Sequence, residues 1–344
     1  MNKTLSKILR RTVKIGLWTT GILLSLFILL CIISLLTQES RHFSDGDITY
    51  LLLPRDEATG ERTVSLSRVK GITAEMEDFD IPSTASYKGK ELRITHISRR
   101  AFSDCTNLTS ITIPEGITYV GEVAFAGCTN LTNIRVAQGN KYYTSVDGVL
   151  FTIDMSSIMA YPAGKKEETY TLPNTVTDIV EGAFRSCSVL KNIIIPNAVT
   201  NIGERAFKGC ESLTSITIPH GVTDIRESVF TDCSGLKDIS IPDTVINIGG
   251  GAFAGCESLT SVTIPQGVTT IDWEAFYRCS GLTNVTIPES VNRIEERAFQ
   301  ECKNLKNVYF KGPPADSFIR AFYWKTILHY IEGTPGWTPP EWNG

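Results

Sequence analysis

A 23-residue repeat restricts the fold of this chain more than any other feature of its sequence. Phenylalanine recurs at that interval, with one longer gap of 59 residues, and is always followed by cysteine three residues later and leucine six residues later. The eight phenylalanines are Phe102, Phe125, Phe184, Phe207, Phe230, Phe253, Phe276 and Phe299. Self-similarity at a fixed period of this size is typical of a solenoid, in which each repeat forms one coil of a stack.

The repeat from Phe207 to Val229 shows what one coil contains. Its segment Leu213–Ile218 ends in alternating isoleucine and threonine, which predicts a short strand with one buried face. Pro219 ends this strand because proline has no amide hydrogen to donate to a ladder. One repeat cannot bury its apolar side chains alone, so each coil packs against its neighbours. We therefore expect a β-rich solenoid of short parallel strands with an irregular return path. The inward ladder includes Phe207, Cys210, Phe230, Cys233, Phe253, Cys256, Phe276 and Cys279.

The same residues resemble a known repeat family. In one coil the pattern consists of Ala252, Phe253, Cys256, Leu259, Val262, Ile264, Pro265, Val268 and Ile271. It is similar to the BspA-like leucine-rich repeats of bacterial and some protist surface proteins, over residues 79–331. The resemblance implies a leucine-rich-repeat solenoid in a non-enzymatic surface or secreted protein, and several members of that family act as adhesins.

The first 36 residues predict a membrane anchor. Residues 1–14 hold five basic residues and no acidic one, and residues 15–36 carry no charge. As a transmembrane helix, this uncharged run is about 33 Å long at ~1.5 Å per residue, enough to cross a bilayer. The positive-inside rule then predicts a single-pass membrane protein with a cytoplasmic amino terminus and repeats at the cell surface or in the periplasm. The alternative is a signal peptide cleaved after Ser34, which would release a secreted protein.

The remaining segment boundaries follow from the positions where the repeat pattern begins, is interrupted and becomes degenerate. We expect a linker and N-terminal β cap at 37–78, the solenoid at 79–312, an insertion at about 137–170, and a degenerate last turn with a C-terminal cap at 313–344. The Asp147-Gly148 turn signal predicts that one or two hairpins project from the insertion. In the last turn Phe322 continues the 23-residue interval, Lys325 takes the cysteine position and Leu328 the leucine position. That coil should be open to water at Lys325, because a lysine is costly to bury.

The sequence offers little that predicts catalysis or metal binding. The eight repeat cysteines share one inward position, which favours buried free thiols that contact the neighbouring coil, although bridges between stacked coils remain geometrically feasible. No Cys-x-x-Cys spacing occurs, the histidines occupy unrelated positions, and Gly249–Gly251 coincide with the repeat turn, so we expect no metal, cofactor or enzymatic activity. When the five basic residues of the tail are set aside, the net charge of −4 becomes −9, which argues against nucleic acid as a partner.

The outward strand positions form the one candidate binding site. They carry mostly threonine and serine in columns, including Ser110 in an early coil. These residue types suit any exposed strand, but they also give one continuous, nearly uncharged face for a protein or glycan. The candidate residues are Ser215, Thr217, Ser261, Thr263, Asn284 and Thr286. The main hypothesis is a membrane-anchored surface protein that binds or adheres through this face, and the alternative is an envelope-organising structural protein that associates with itself.

Overall fold

Short strands on two sides of each coil build the fold. The computed structural model describes residues 42–69, 77–312, 320–323 and 325–330. Within these residues the chain is a β-solenoid of about 10 turns without any helix. The expected membrane helix at residues 15–36 lies outside them, and no helix that could cross a bilayer is found in the part of the chain that is described.

The strands are short and follow one another along the whole described chain. The first are β1 His42–Asp45, β2 Ile48–Arg55, β3 Arg62–Val69, β4 Asp78–Asp80, β5 Thr84–Tyr87, β6 Lys90–Ile97, β7 Ser110–Ile113, β8 Tyr119–Val120 and β9 Asn133–Val136. The middle strands are β10 Tyr143–Val146, β11 Val149–Thr152, β12 Ser157–Ala160, β13 Thr169–Thr171, β14 Asp178–Ile179, β15 Asn192–Ile194, β16 Asn201–Ile202, β17 Ser215–Thr217 and β18 Asp224–Ile225. The last are β19 Asp238–Ser240, β20 Asn247–Ile248, β21 Thr270–Ile271, β22 Asn284–Ile287, β23 Arg293–Ile294, β24 Asn307–Phe310 and β25 Ile327–Tyr330.

Two columns of parallel strands run along the stack. The first column, which we call the strand face, comprises the sheets β4-β7-β9, β13-β15-β17-β19 and β22-β24-β25. The second column, the return strands, comprises β8, β14, β16, β18, β20, β21 and β23. Partners lie one repeat apart, with Ser215 opposite Asp238 in the first column and Asp224 opposite Asn247 in the second. The predicted solenoid of short parallel strands is confirmed.

Aromatic rings form a continuous stack inside the C-terminal coils. From Phe184 to Phe322, neighbouring ring centroids lie 5.0–5.5 Å apart and their planes are within 15° of parallel. Tyr161 extends the stack beyond Phe184, with centroids 5.3 Å apart. Tyr161 lies 23 residues before Phe184 in the sequence. A tyrosine therefore takes the phenylalanine position within the gap of the sequence pattern.

Each coil turns sharply on both sides of its ladder phenylalanine. The residues two before and two after all eight repeat phenylalanines have left-handed backbone, with φ between 51° and 77°. Five of these sixteen residues are glycine, namely Gly127, Gly182, Gly209, Gly251 and Gly255. The conformation costs an L-residue about 1–2 kcal/mol, so contacts between coils must hold it in place. One such contact is the bond from the Arg205 amide to the Glu227 carbonyl of the next coil, at 3.1 Å.

The insertion is a layer of the core and not a projecting hairpin. β10 and β11 pair antiparallel around the expected Asp147-Gly148 turn, but β11 also pairs with β12, which joins the return strands through β14. Leu150 packs into the N-terminal core cluster, whereas Val149 and Phe151 pack into the C-terminal cluster, and all three side chains are 0% exposed. The expected projection is wrong because both faces of β11 are apolar and must both be covered.

The last turn keeps its phenylalanine but shortens the path to its strand. Phe322 stacks on Phe299 with centroids 5.2 Å apart. β25 begins five residues after Phe322, whereas β24 begins eight residues after Phe299. Leu328 therefore lies opposite Val308 in the strand and not at the leucine position of the repeat, so the expectation for Leu328 is wrong. Lys325 is exposed, as expected.

Strands at the N-terminal end cover the first coil. They form a sheet in the order β1-β2-β3-β6-β5, and β6 continues it into the return strands by pairing with β8. Phe43 on β1 lies 4.8 Å from Tyr87 on β5, measured between ring centroids, so the sheet curls until its two edges meet. Val64 and Leu66 on β3 are 0% exposed and close the end of the core.

Candidate binding surface

The strand face carries all six candidate binding residues, and each of them is exposed: Ser215, Thr217, Ser261, Thr263, Asn284 and Thr286. The first two lie on β17 and the last two on β22. Between each pair one aliphatic side chain points into the core, with Ile216 4% exposed and Val285 2% exposed. The period of two in a strand thus presents hydroxyl and amide groups on one face and fills the core with the other.

The coil that contains Ser261 and Thr263 interrupts the strand face. On this face it joins the next coil through an isolated bridge between Thr263 and Thr286 and a bond from the Thr283 amide to the Thr260 carbonyl at 3.4 Å. On its other side, the described chain has none of the backbone bonds that join the remaining coils between Asp238–Ser240 and Ser261–Thr263. The expected continuous ladder is wrong at this coil, which leaves backbone donors and acceptors without ladder partners in the middle of the face.

An aromatic pair lies at the C-terminal end of the strand face as far as the chain is described. Tyr309 on β24 and His329 on β25 stack with centroids 4.7 Å apart and planes 14° apart. The Asn307 amide nitrogen donates to the Asn284 side-chain oxygen at 2.9 Å, and its own oxygen lies 2.8 Å from Nε2 of His329. Tyr309 nevertheless remains 43% exposed. The sequence pattern misses the pair because the shortened last turn places His329 only 20 residues after Tyr309.

The N-terminal end of the strand face differs from the rest because it is charged and partly covered. Arg135 donates to Asp78 at 2.6 Å and to Thr112 at 3.2 Å, and so spans the coil between them. Ser110 lies in that coil and is only 8% exposed. Ser110 keeps its outward position opposite Asp78, but the exposure expected for it is wrong.

A charged cavity lies where the insertion interrupts the stack. Its volume is about 530 Å³, and its lining includes Arg99, Glu122, Glu181 and Arg205. Arg99 pairs with Glu181 from the opposite side of the insertion, and Arg205 lies 3.4 Å from Glu181 and 2.5 Å from Glu227. Burial raises the pKa of Glu122, and its hydrogen bond to Glu181 together with the charge of that carboxylate raises it further. These ion pairs join the coils on the two sides of the insertion.

The repeat cysteines are free and buried. Seven of them donate the thiol hydrogen to the carbonyl oxygen of the aromatic residue in the preceding coil, at 3.0–3.8 Å. Burial raises the pKa of Cys256 far above the ordinary thiol range, and raises that of the more accessible Cys105 to about 11. No cluster of three or more side chains suited to a metal ion occurs among the residues described.

Comparison with known families identifies the repeat. A model of the BspA-type leucine-rich repeat region matches residues 76–152, 163–280 and 223–332, in 6 copies. The matched segments together span well over half of the chain. A search of curated proteins gave no match.

Several solved structures are similar to this chain. A leucine-rich repeat protein from Eubacterium ventriosum is 21% identical with a TM-score of 0.52, and the alignment covers 75% of this chain and 93% of that one. The pneumococcal vaccine antigen PcpA is 17% identical with a TM-score of 0.48, over 85% of this chain and 98% of that one. A leucine-rich cell surface protein from Faecalibacterium prausnitzii is 20% identical with a TM-score of 0.35, and the alignment covers 86% of this chain and 95% of that one. The first of these likenesses shows a shared solenoid fold.

Proposed function

The chain belongs to the BspA-type leucine-rich repeat family, and from this premise we propose that it is a surface-displayed binding protein that holds its partner along the strand face. The observation that carries the proposal is the exposure of the polar columns on successive coils, from Ser215 to Thr286. Because each outward position recurs in every coil, an extended partner can make the same contact several times. In this proposal the protein binds without catalysing a reaction and needs no cofactor.

The proposal also places the repeats outside the cell, anchored through residues 15–36. Its support is the basic tail followed by an uncharged run long enough to cross a bilayer. Protease added to intact spheroplasts should digest the repeats and leave the tail protected. Full protection of the repeats would contradict this topology, and a mature amino terminus near Leu35 would show that the protein is secreted instead.

An experiment that introduces positive charge on the strand face tests the binding role. All six candidate residues are replaced by lysine in the full chain: Ser215, Thr217, Ser261, Thr263, Asn284 and Thr286. The full chain in proteoliposomes is then measured for binding to immobilised matrix proteins and glycans. Binding should be lost with little change in the melting transition, because these side chains point into water.

A control variant places three lysines on another side of the coils, at Thr200, Thr223 and Asn292, which are exposed beside the return strands. That variant should bind like the wild type. Equal binding by the six-lysine variant and the wild type would overturn the strand-face proposal. Recovery of self-associated complexes alone would support the envelope-organising alternative.

A further inference from the structure

The central part of the strand face is a shallow trough with a large side chain at each end. Ile194, which is 58% exposed, forms one end and Tyr309, which is 43% exposed, forms the other. In the four coils between them, two central columns present only short side chains, and the exposed Lys237 lies beside these columns. The short side chains are Ser215, Thr217, Asp238, Ser240, Ser261, Thr263, Asn284 and Thr286. At ~4.8 Å per coil the trough is about 24 Å long.

The Tyr309 ring turns one open face toward this trough. His329 covers the opposite face, with the two planes 14° apart. On the trough side the neighbour in the same column is Thr286, directly opposite Tyr309 in the parallel pair of β22 and β24. A threonine is too short to cover an aromatic ring, so most of that ring face stays accessible. A flat apolar surface next to polar groups can receive the hydrophobic face of a ligand.

The floor of the trough offers hydrogen bonds and little charge. Among its eight side chains Asp238 is the only charged one. The Asn284 side-chain oxygen accepts from Asn307, so the amide group nearest the ring has a fixed orientation. These features fit an uncharged ligand with many hydroxyl groups.

Other classes of ligand fit this trough less well. An extended peptide gains most of its affinity by adding to a sheet edge, whereas a ligand lying along the trough crosses the strands and meets their side chains. A polyanion requires a basic floor, and here the floor carries one carboxylate. Apolar pockets for peptide side chains are also missing from the described strand face, because the coils between Ile194 and Tyr309 are lined by short polar residues.

We propose that this trough binds a neutral glycan lengthwise, with one sugar ring stacked on Tyr309. The inference rests on the proposed function of the strand face and narrows its partner to an uncharged polysaccharide or oligosaccharide. Hydroxyl and amide groups of the floor bind the sugar hydroxyls, and the Tyr309–His329 stack fixes the position of the last ring.

The test uses the full chain in detergent and a printed array of neutral and acidic glycans, with chitohexaose, cellohexaose and mannohexaose as neutral hexamers for calorimetry. At least one neutral glycan should bind. Tyr309→Ala should lower its affinity about tenfold, the loss expected for one stacked ring, whereas Tyr309→Phe should retain it. Tyr119→Ala is the matched control, because Tyr119 is 49% exposed but lies on the return strand β8.

Each contrary result has a distinct meaning. Binding of acidic glycans alone, no binding of any neutral glycan, or equal losses for Tyr309→Ala and Tyr119→Ala would overturn the glycan proposal. The glycan proposal can fail while the six lysine substitutions abolish binding to a protein. The strand face then remains the binding surface, and only the class of ligand is wrong. If the six-lysine variant loses nothing, the proposed function fails as well.

Discussion

Eight coils place one aromatic ring and one thiol at the same height of the core, and the two residues stabilise the stack in different ways. The ring contributes contact area with the rings above and below it, since Phe230 lies 5.5 Å from Phe207 and 5.4 Å from Phe253. The thiol adds a second hydrogen bond to a carbonyl of the preceding coil: Phe207 O accepts the Cys210 amide of its own turn at 3.1 Å and the Cys233 thiol at 3.1 Å. An inward cysteine is thus both a small apolar side chain and a weak donor.

The first prediction compares a central ring with a terminal one. Phe230→Ala should lower the free energy of unfolding by about 3–5 kcal/mol, because the ring is fully buried between two neighbours. Phe322→Ala should cost clearly less, because Phe322 lies at the end of the aromatic stack and is 7% exposed. Urea denaturation of both variants measures the difference. Equal losses would mean that the stack continues with full packing beyond Phe322.

The second prediction concerns the reactivity of the repeat thiols. Cys105 is 9% exposed, whereas Cys256 is 0% exposed, so Cys105 should be the first of the repeat cysteines to react with a thiol reagent. Its pKa near 11 keeps it protonated at neutral pH, so the reaction should be slow and should accelerate as the pH rises.

Peptide mapping by mass spectrometry after brief alkylation measures this order. Peptides containing Cys256 should become labelled only after denaturation. Equal labelling of Cys105 and Cys256 in the native protein, or a mass deficit from disulfides between coils, would contradict the prediction.

At the scale of the element, the sequence predicted the strands and their ends, because these depend on the local residue pattern alone. Alternation around Ile216 placed the strands correctly, and Pro219 marked where they end. The corners were not predictable in this way, because residues such as Arg205 adopt left-handed backbone that their own chemistry disfavours. The position of Tyr161 was also missed, since glycine stands three residues after it, where the pattern requires cysteine. Only packing against the neighbouring coils decides these positions.

At the candidate site, too, the sequence predicted local features but not contacts between coils. The sequence placed the polar columns on the exposed face, since period-two alternation is a local property. It could not place His329 beside Tyr309, because that contact depends on how many residues the last turn uses. Nor could it predict the gap beside Ser261, because backbone pairing between coils depends on how closely they stack.

The third prediction tests the insertion as a structural layer. Leu150→Ala should destabilise the protein by about 2–5 kcal/mol, because β11 separates the two core clusters and Leu150 fills the N-terminal one. Val146→Ala on the neighbouring strand β10 is the control, and because Val146 is 43% exposed it should change stability by less than about 0.5 kcal/mol. Denaturant titration measures the free energy of unfolding of both variants. A negligible effect of Leu150→Ala would mean that the insertion is dispensable after all.

At the scale of the whole molecule, the insertion divides the solenoid into two cores that must act as one unit. The coils nearest the junction contact each other directly at the corner, where Val123 fills the space beside Gly182. The carboxylates of Glu122 and Glu181 meet at the same corner, and Arg99 crosses the insertion to pair with Glu181. In a repeat protein each coil is stabilised by its neighbours, so the strength of this junction determines how far unfolding of one half spreads to the other.

The last prediction follows from the charges at that junction. A carboxyl group with a raised pKa binds its proton more tightly in the folded chain than in the unfolded one, so it destabilises the fold as the pH rises through that pKa. Glu122 is such a group, since burial and Glu181 raise its pKa above the ordinary value of 4.5, while Arg99 acts in the opposite direction and Glu204 adds to the increase. The wild type should therefore lose stability relative to Glu122→Gln as the pH rises above the ordinary carboxyl value of 4.5. Carboxylates with lowered pKa, such as Asp78, titrate at lower pH and cancel in the comparison. Urea denaturation of both proteins across the pH range gives the difference, and a constant difference would show that burial beside Glu181 does not raise the pKa of Glu122 in the folded chain.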